Sequence, residues 1–281
     1  MEKIDKILPT SQPGQSPVSQ AVKKDCPLLR LISDLQDSNY GQSVRWRVNS
    51  GVPERYESTT FDTFKITSKE HRQQECLNIA REFAQKLIDR KDTPPHALVL
   101  SSKAYGVGKT HLLTSIANEI LNKAKAADIM NWFEIHNDWD KETRTYKENR
   151  VPIARIRQNA AIFHYISEPD LLSNIRDTFN NDSETTEQDY YAKLNDYELL
   201  IIDDVGKVKP KDLSFVQQVY YRLIEYRYVN LKHIALATNL VGDELESFIG
   251  GAVASRLLEM TEGKNFLTMQ GEDYRLRALK K

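Results

Sequence analysis

The sequence predicts an α/β domain with a five-stranded, mostly parallel sheet covered by helices on both faces. Two observations carry this expectation. Short aliphatic runs recur along the chain, each too short for a helix of its own, and between them lie longer segments with apolar residues at helical spacing. Runs that are apolar throughout, rather than alternating, belong to strands buried on both faces, which is the signature of parallel sheets. The bulk composition agrees. Of 281 residues, 40% are hydrophobic and 28% charged, with a mean hydropathy of −0.57. That is polar for a folded protein, yet too rich in aliphatic runs for disorder throughout.

Residues 1–50 read as a partner-docking segment and flexible linker, and residues 51–281 as the folded domain. Within the first, residues 9–20 (PTSQPGQSPVSQ) bury no apolar surface and suit a tether, while Cys26 to Leu35 suits a short helix. The sequence GVPERYESTTFDTF forms a loop carrying Phe61 and Phe64. Thr67-Ser68-Lys69-Glu70 fits a capping box. Behind it Leu77, Ala80, Phe83, Ala84, Leu87 and Ile88 predict an amphipathic helix, ended by Pro94 and Pro95. ALVLS (97–101) is the first strand, and a helix starts near Lys109. AIFHYIS (161–167) is the second strand, and Ser167-Glu168-Pro169-Asp170, which shares its last residue, a good helix start with proline in the first turn. ELLIID (198–203) is the third strand, 212–229 a helix and HIALAT (233–238) the fourth strand. DELESFI and GAVASRLLEM are helices, and KNFLTM (264–269) the fifth strand.

Several classes fall away. No apolar run approaches the ~18–20 residues of a membrane span, and the N-terminus lacks the apolar centre of a signal peptide. Cys26 and Cys76 are the two cysteines, too few for a disulfide framework or a four-cysteine zinc site, so reduced thiols in a cytoplasmic protein are expected. The formal net charge is −1, so any nucleic-acid surface is a local patch.

The first strand runs into Ser101-Ser102-Lys103-Ala104-Tyr105-Gly106-Val107-Gly108-Lys109-Thr110. A phosphate loop needs glycines so that backbone N–H groups curl round the oxygens. It also needs a lysine for the terminal phosphates and a hydroxyl for magnesium. Tyr105 to His111 meet those needs between a strand and a helix, with one departure: Lys103 stands where the usual pattern has glycine. If that position requires positive φ, lysine costs about 1 kcal/mol. The third strand ends in Asp203-Asp204. There one carboxylate can hold magnesium and the next can polarise an attacking water. The fourth ends in Thr238-Asn239, whose amide can orient water. Ligands of open parallel sheets bind beyond the carboxyl ends of the strands, and here three strands deliver such residues at that end. The sequence predicts a nucleoside triphosphate site.

In the order of these elements, roughly residues 50–277 resemble the AAA+ ATPases of the DnaC/DnaI helicase-loader and IstB-like group. The stretches that carry the resemblance are GVPERYESTTFDTF, YGVGKTHL, FHYISEPDLLSNIRDTF, LLIIDDVG, ALATNL, GGAVASRLLEM and GEDYR. The resemblance implies a P-loop fold with little or no C-terminal lid domain, ATP and Mg2+ as cofactors, and metal contacts from Thr110 and Asp203. It implies Asp204 as catalytic base, Asn239 as a sensor, Arg256 as a finger acting on a neighbouring subunit, and Arg275 as a second sensor. Many relatives carry Asp-Glu where this chain has Asp-Asp, so slow hydrolysis is expected, stimulated by assembly or DNA. Arg256 also has a plain alternative, pairing with Glu259 one turn on, and Arg275 that of a solvated charge.

The implied function is an ATP-dependent loader that oligomerises on single-stranded DNA and delivers a replicative ring helicase. The alternatives are an ATPase helper of a DNA transposase and a nucleotide-gated scaffold with scant turnover. Candidate DNA contacts are Arg176 on the helix from Leu171 to Phe179, the lysines 207, 209 and 211, and the stretch from Met130 to Gln158. That stretch interleaves cations such as Arg155 and Arg157 with Trp132, Trp139 and Tyr146, but Asp138, Asp140, Glu142 and Glu148 dilute its charge, so a solvated insertion is an equal alternative. His164 reads as a core residue.

Overall fold

A computed structural model describes residues 50–66, 72–89, 93–123, 133–140, 145–152, 163–180, 182–207 and 209–278. The expected tether, the Cys26–Leu35 helix, the capping box at 67–70 and the Arg155/Arg157 pair lie outside the described residues.

After a single 3-10 turn at Glu54–Tyr56 the chain forms α1 (Arg72–Ile88), β1 (Ala97–Ser101) and α2 (Lys109–Lys123). Next come β2 (Phe133–Asp140), β3 (Thr145–Pro152), β4 (Phe163–Ser167), α3 (Glu168–Asp177), α4 (Glu187–Asp196) and β5 (Leu199–Val205). Then follow α5 (Leu213–Val229), β6 (His233–Thr238), α6 (Asp243–Ile249), α7 (Gly251–Met260), β7 (Phe266–Thr268) and α8 (Tyr274–Ala278). The main sheet has five strands in the order β4-β5-β6-β1-β7, and every pairing in it is parallel. All carboxyl ends therefore lie along one edge of the sheet.

The elements follow from local chemistry. β1 and β6 are buried at every position, as apolar runs without alternation require. Ser167 caps α3 by accepting the Asp170 N–H, with proline in the first turn, and Asp212 caps α5 through the N–H groups of Ser214 and Phe215. α1 buries Leu77, Ala80, Phe83, Ala84 and Leu87 as its spacing predicts. It ends at Ile88, however, well before Pro94, so the prolines do not terminate it. Among the described elements, α4, α8 and the β2–β3 pair escaped the sequence reading. α4 has a complete capping box between Thr186 and Asp189. β2 and β3 form a separate antiparallel hairpin, in register from Phe133 opposite Pro152 to Asp140 opposite Thr145.

The amino-terminal edge of the sheet carries a buried guanidinium. Arg227, on α5, is fully buried. It donates to the carbonyls of His233 (2.8 Å) and Leu194 (2.7 Å) and reaches that of Tyr197 (3.3 Å). Burial pulls its pKa down to about 10. One side chain thus ties the end of α4 to the starts of β5 and β6. Cys76 is buried in α1, where burial pushes its thiol up to about 11.

Candidate nucleotide site

The carboxyl edge opens into a cleft of about 680 Å³. β1 ends at Ser101, the chain loops through residues 102–108, and α2 begins at Lys109. Gly106 (φ 64°) and Gly108 (φ 103°) hold left-handed conformations that favour glycine. Both are also closely covered. A Cβ on Gly106 would collide with the Asp273 carboxylate, and one on Gly108 with the Phe64 ring. Lys103 does not take a positive φ. Among the described residues the non-glycine positions with positive φ are Asp204, Leu231 and Glu262. The Lys103 ammonium instead pairs with Glu244 at the start of α6.

Lys109 Nζ donates to Asn239 Oδ1 (2.7 Å) and to the Ala104 carbonyl (3.3 Å). Burial pushes its pKa down to about 8, against the opposing pull of Asp203 and Asp204. Asn239 follows β6, where Thr238 donates its hydroxyl to the Val205 carbonyl at 2.8 Å and so locks β6 to the end of β5.

Asp203 is 4% exposed. Its Oδ2 accepts the Tyr165 hydroxyl at 2.6 Å and its Oδ1 the Asp204 N–H at 2.8 Å. Burial raises its pKa, opposed by hydrogen bonds from Tyr165 and Thr110. Asp204 sits at φ 59° and pairs through Oδ2 with Lys207 Nζ at 2.7 Å. The neighbouring Thr110 hydroxyl and Asp203 carboxylate form a hard oxygen donor set of the kind Mg2+ takes beside phosphates, so these residues fit that ion.

Two flanking segments complete the cleft. From residues 59–64, the Thr60 carbonyl lies 2.9 Å and the Thr63 hydroxyl 3.2 Å from His111 Nε2, and the Phe64 ring meets the imidazole edge-on. His111 thereby pins this loop to α2. From the other side, Tyr274 N–H donates to the Gly106 carbonyl at 3.1 Å. Arg275 lines the cleft with its Nε 3.4 Å from Asp273 Oδ1.

Of the site residues expected from sequence, Tyr105 to Thr110, His111, Asp203, Asp204, Asn239 and Arg275 all line this one cleft. Arg256 does not. On α7, whose Val253, Leu257 and Met260 face inward, its Nε lies 2.5 Å from Glu225 Oε2 on α5. The guanidinium also lies near the Tyr221 and Tyr228 rings, at 5.5 and 5.9 Å. The pairing with Glu259 does not form; that carboxylate accepts the Tyr228 hydroxyl instead. His164 is half-buried rather than core, stacked on Tyr197 at 4.9 Å.

Sequence reasoning missed Tyr165, Glu168, Phe64 and Asp273 as parts of this region. Only Tyr165 left a signal, a phenol hydroxyl at a buried position of a strand. At the end of α3, the Arg176 guanidinium lies 4.7 Å from the Phe215 ring centre. Exposed Phe179 meets the same ring edge-on. Lys209 and Lys211 are exposed nearby in sequence.

No family model matches the chain. Among curated proteins, the chromosomal replication initiator DnaA of Onion yellows phytoplasma is 23% identical over 206 residues, 73% of this chain and 32% of that protein. The replicative helicase loader DnaC of Buchnera aphidicola subsp. Acyrthosiphon pisum is 22% identical over 228 residues, 80% of this chain and 73% of that one. DnaC of Escherichia coli K12 is 21% identical, covering 74% of this chain and 66% of its own length. The chain thus spans about a third of the initiator and about two thirds to three quarters of these loaders. Among solved structures, a DnaC helicase loader superposes with TM-score 0.52 at 20% identity, covering 78% of this chain and all of that one. A DNA replication initiation factor superposes at 0.50 and 16% identity, covering 79% of this chain and 53% of its own. The chain thus shares the fold of these solved structures and is similar in sequence to the DnaC loaders and the DnaA initiator.

Proposed function

We propose that the chain is an ATP-dependent helicase loader, which binds ATP in this cleft, assembles on single-stranded DNA and delivers a replicative ring helicase. The observation that carries the reading is the convergence of Lys109, Thr110, Asp203, Asp204 and Asn239 at the carboxyl ends of three adjacent parallel strands. The reported relatives, an initiator and loaders, favour this role over that of a transposition helper.

Each residue has a task its chemistry suits. The P-loop amides and the Lys109 ammonium bind the phosphates, with Lys109 exchanging Asn239 for a phosphate oxygen. Thr110 and Asp203 would hold Mg2+, which when bound neutralises phosphate charge. Tyr165 orients the Asp203 carboxylate for that task. Asp204 accepts the proton of the attacking water, and the Asn239 amide orients that water. Its short side chain reaches less far than a glutamate, so turnover is slow. Arg275, on α8, would meet phosphate charge from its side of the cleft.

Arg256 acts on a neighbouring subunit. It stands outside its own cleft, and Glu225 with the two tyrosines holds its planar guanidinium for presentation. Arg176, Phe179 and Phe215 offer a cation and aromatic faces, the combination that grips single strands.

The test is capture of the host's replicative helicase by the full chain with ATP and single-stranded DNA. Capture by wild type and its loss in Lys109→Ala are expected. Failure of wild type to retain the helicase would refute the loader role and leave a nucleotide-binding scaffold.

A further inference from the structure

Glu168 is the first residue of α3, where an acidic side chain usually faces solvent and meets the helix dipole. Here it is 1% exposed. Its Oε1 accepts the Tyr220 hydroxyl of α5 at 2.6 Å, and its Oε2 accepts the Gly206 N–H at 2.7 Å. Removing a carboxylate from water costs several kcal/mol, and apolar residues of similar volume often fill such places with equal or better stability. Packing α3 on the sheet therefore does not account for Glu168.

What it touches does. Gly206 lies two residues past Asp204, in a turn with two left-handed positions, Asp204 at φ 59° and Gly206 at φ 73°. For aspartate that conformation is costly and persists only where its surroundings over-determine it. Three ties do so here. The Val205 carbonyl accepts the Thr238 hydroxyl at 2.8 Å from the β6 side. Lys207 N–H closes the turn on the Asp204 carbonyl at 3.0 Å. Glu168 holds Gly206 N–H from the α3 side. Leu240 packs so closely on Gly206 that a side chain there would collide with it. Releasing the Glu168 tie frees the turn to relax toward ordinary φ and swings the Asp204 carboxylate away from the cleft.

We infer that Glu168 is a positioning residue, which fixes the Asp204 carboxylate by clamping the Gly206 amide of the turn behind it. This rests on the reading of Asp204 as the base of an ATPase.

The test is the double variant Glu168→Met with Tyr220→Phe, which replaces the carboxylate and its hydroxyl partner by apolar groups of similar size. Glu168→Gln, which keeps an oxygen for Gly206, is measured beside it. The apolar variant is expected to fold, bind a fluorescent ATP analogue within about twofold of wild type, and lose about tenfold or more in kcat. Its Gly206 amide is expected to exchange with deuterium about tenfold faster. Glu168→Gln is expected to keep kcat within about threefold and the amide protected. Unchanged kcat or unchanged exchange in the folded apolar variant overturns the inference. So does a Gln variant as impaired as the apolar one. If wild type turns over no ATP, the reading of Asp204 fails, while the exchange measurement still decides whether Glu168 clamps the turn.

Discussion

Replacing Glu168 by glutamine should change how stability depends on pH. Burial is the dominant influence on this carboxyl and pushes it from 4.5 up to about 7. The Tyr220 hydroxyl and the Gly206 N–H pull it back, and Asp204 pushes it up further. A carboxyl whose folded pKa is raised contributes stability that is complete below the unfolded value and is lost as pH climbs through the folded value. The wild-type protein should therefore lose stability between about pH 4.5 and 7 from this group alone. The full difference corresponds to roughly 3 kcal/mol, and relaxation around the charge leaves about 1–3. Glutamine does not titrate, so the gap between variant and wild type should widen in the variant's favour by that amount from pH 4.5 to 7.5. For a domain of this size that is a relative gain of roughly 3–10 °C in Tm, read by thermal melts across the range. A gap constant across pH would refute the buried, proton-holding carboxylate.

Asp204→Asn should leave nucleotide affinity near wild type while lowering hydrolysis by about 10²-fold, measured by phosphate release; unaffected turnover would assign the base elsewhere. Gly106→Ala should weaken nucleotide binding about tenfold or more in a titration, because the new methyl meets the Asp273 carboxylate and the residue must keep a positive φ. Arg256→Ala and Lys109→Ala should each lack activity alone and recover part of it when mixed; no recovery in mixtures shown to co-assemble would make Arg256 a structural charge. Neutralising Arg176 together with Phe179→Ala should weaken single-strand binding and flatten its salt dependence; an unchanged slope would move the DNA surface elsewhere.

The sheet and the gathering of the expected residues in one cleft were legible because their signals are local. A parallel strand shows itself as an unbroken aliphatic run, and β1, β6, α6 and α7 begin and end where their residues predict. The glycines, Lys109 and the Asp203-Asp204 pair sit where such strands stop. The hairpin β2–β3 was hidden because its strands are as charged as a solvated loop, so the register of its partner, not its composition, defines it. Glu168 read as an ordinary first-turn acid, and nothing near it in sequence reveals Gly206, 38 residues on. Asp273 over Gly106 and Glu225 beside Arg256 are likewise meetings made by tertiary structure between residues far apart in the chain.

The buried Arg227 divides the labour of the domain. Its fork gathers carbonyls from α4, its connection to β5, and β6 at the edge of the sheet opposite the cleft. A lysine offers a point charge in place of that planar fork and cannot hold the same set of acceptors. The far edge is thus anchored by one side chain, while the residues that line the cleft hang from the near edge on strand ends, loops and the first turns of helices. Genetic damage should sort accordingly. A mutational scan that scores cellular abundance and replication separately would find variants around Arg227 depleted in amount. Variants around Lys109 and Asp204 would be present in full and inert, and the border between the two phenotypes would cross the strands at mid-length.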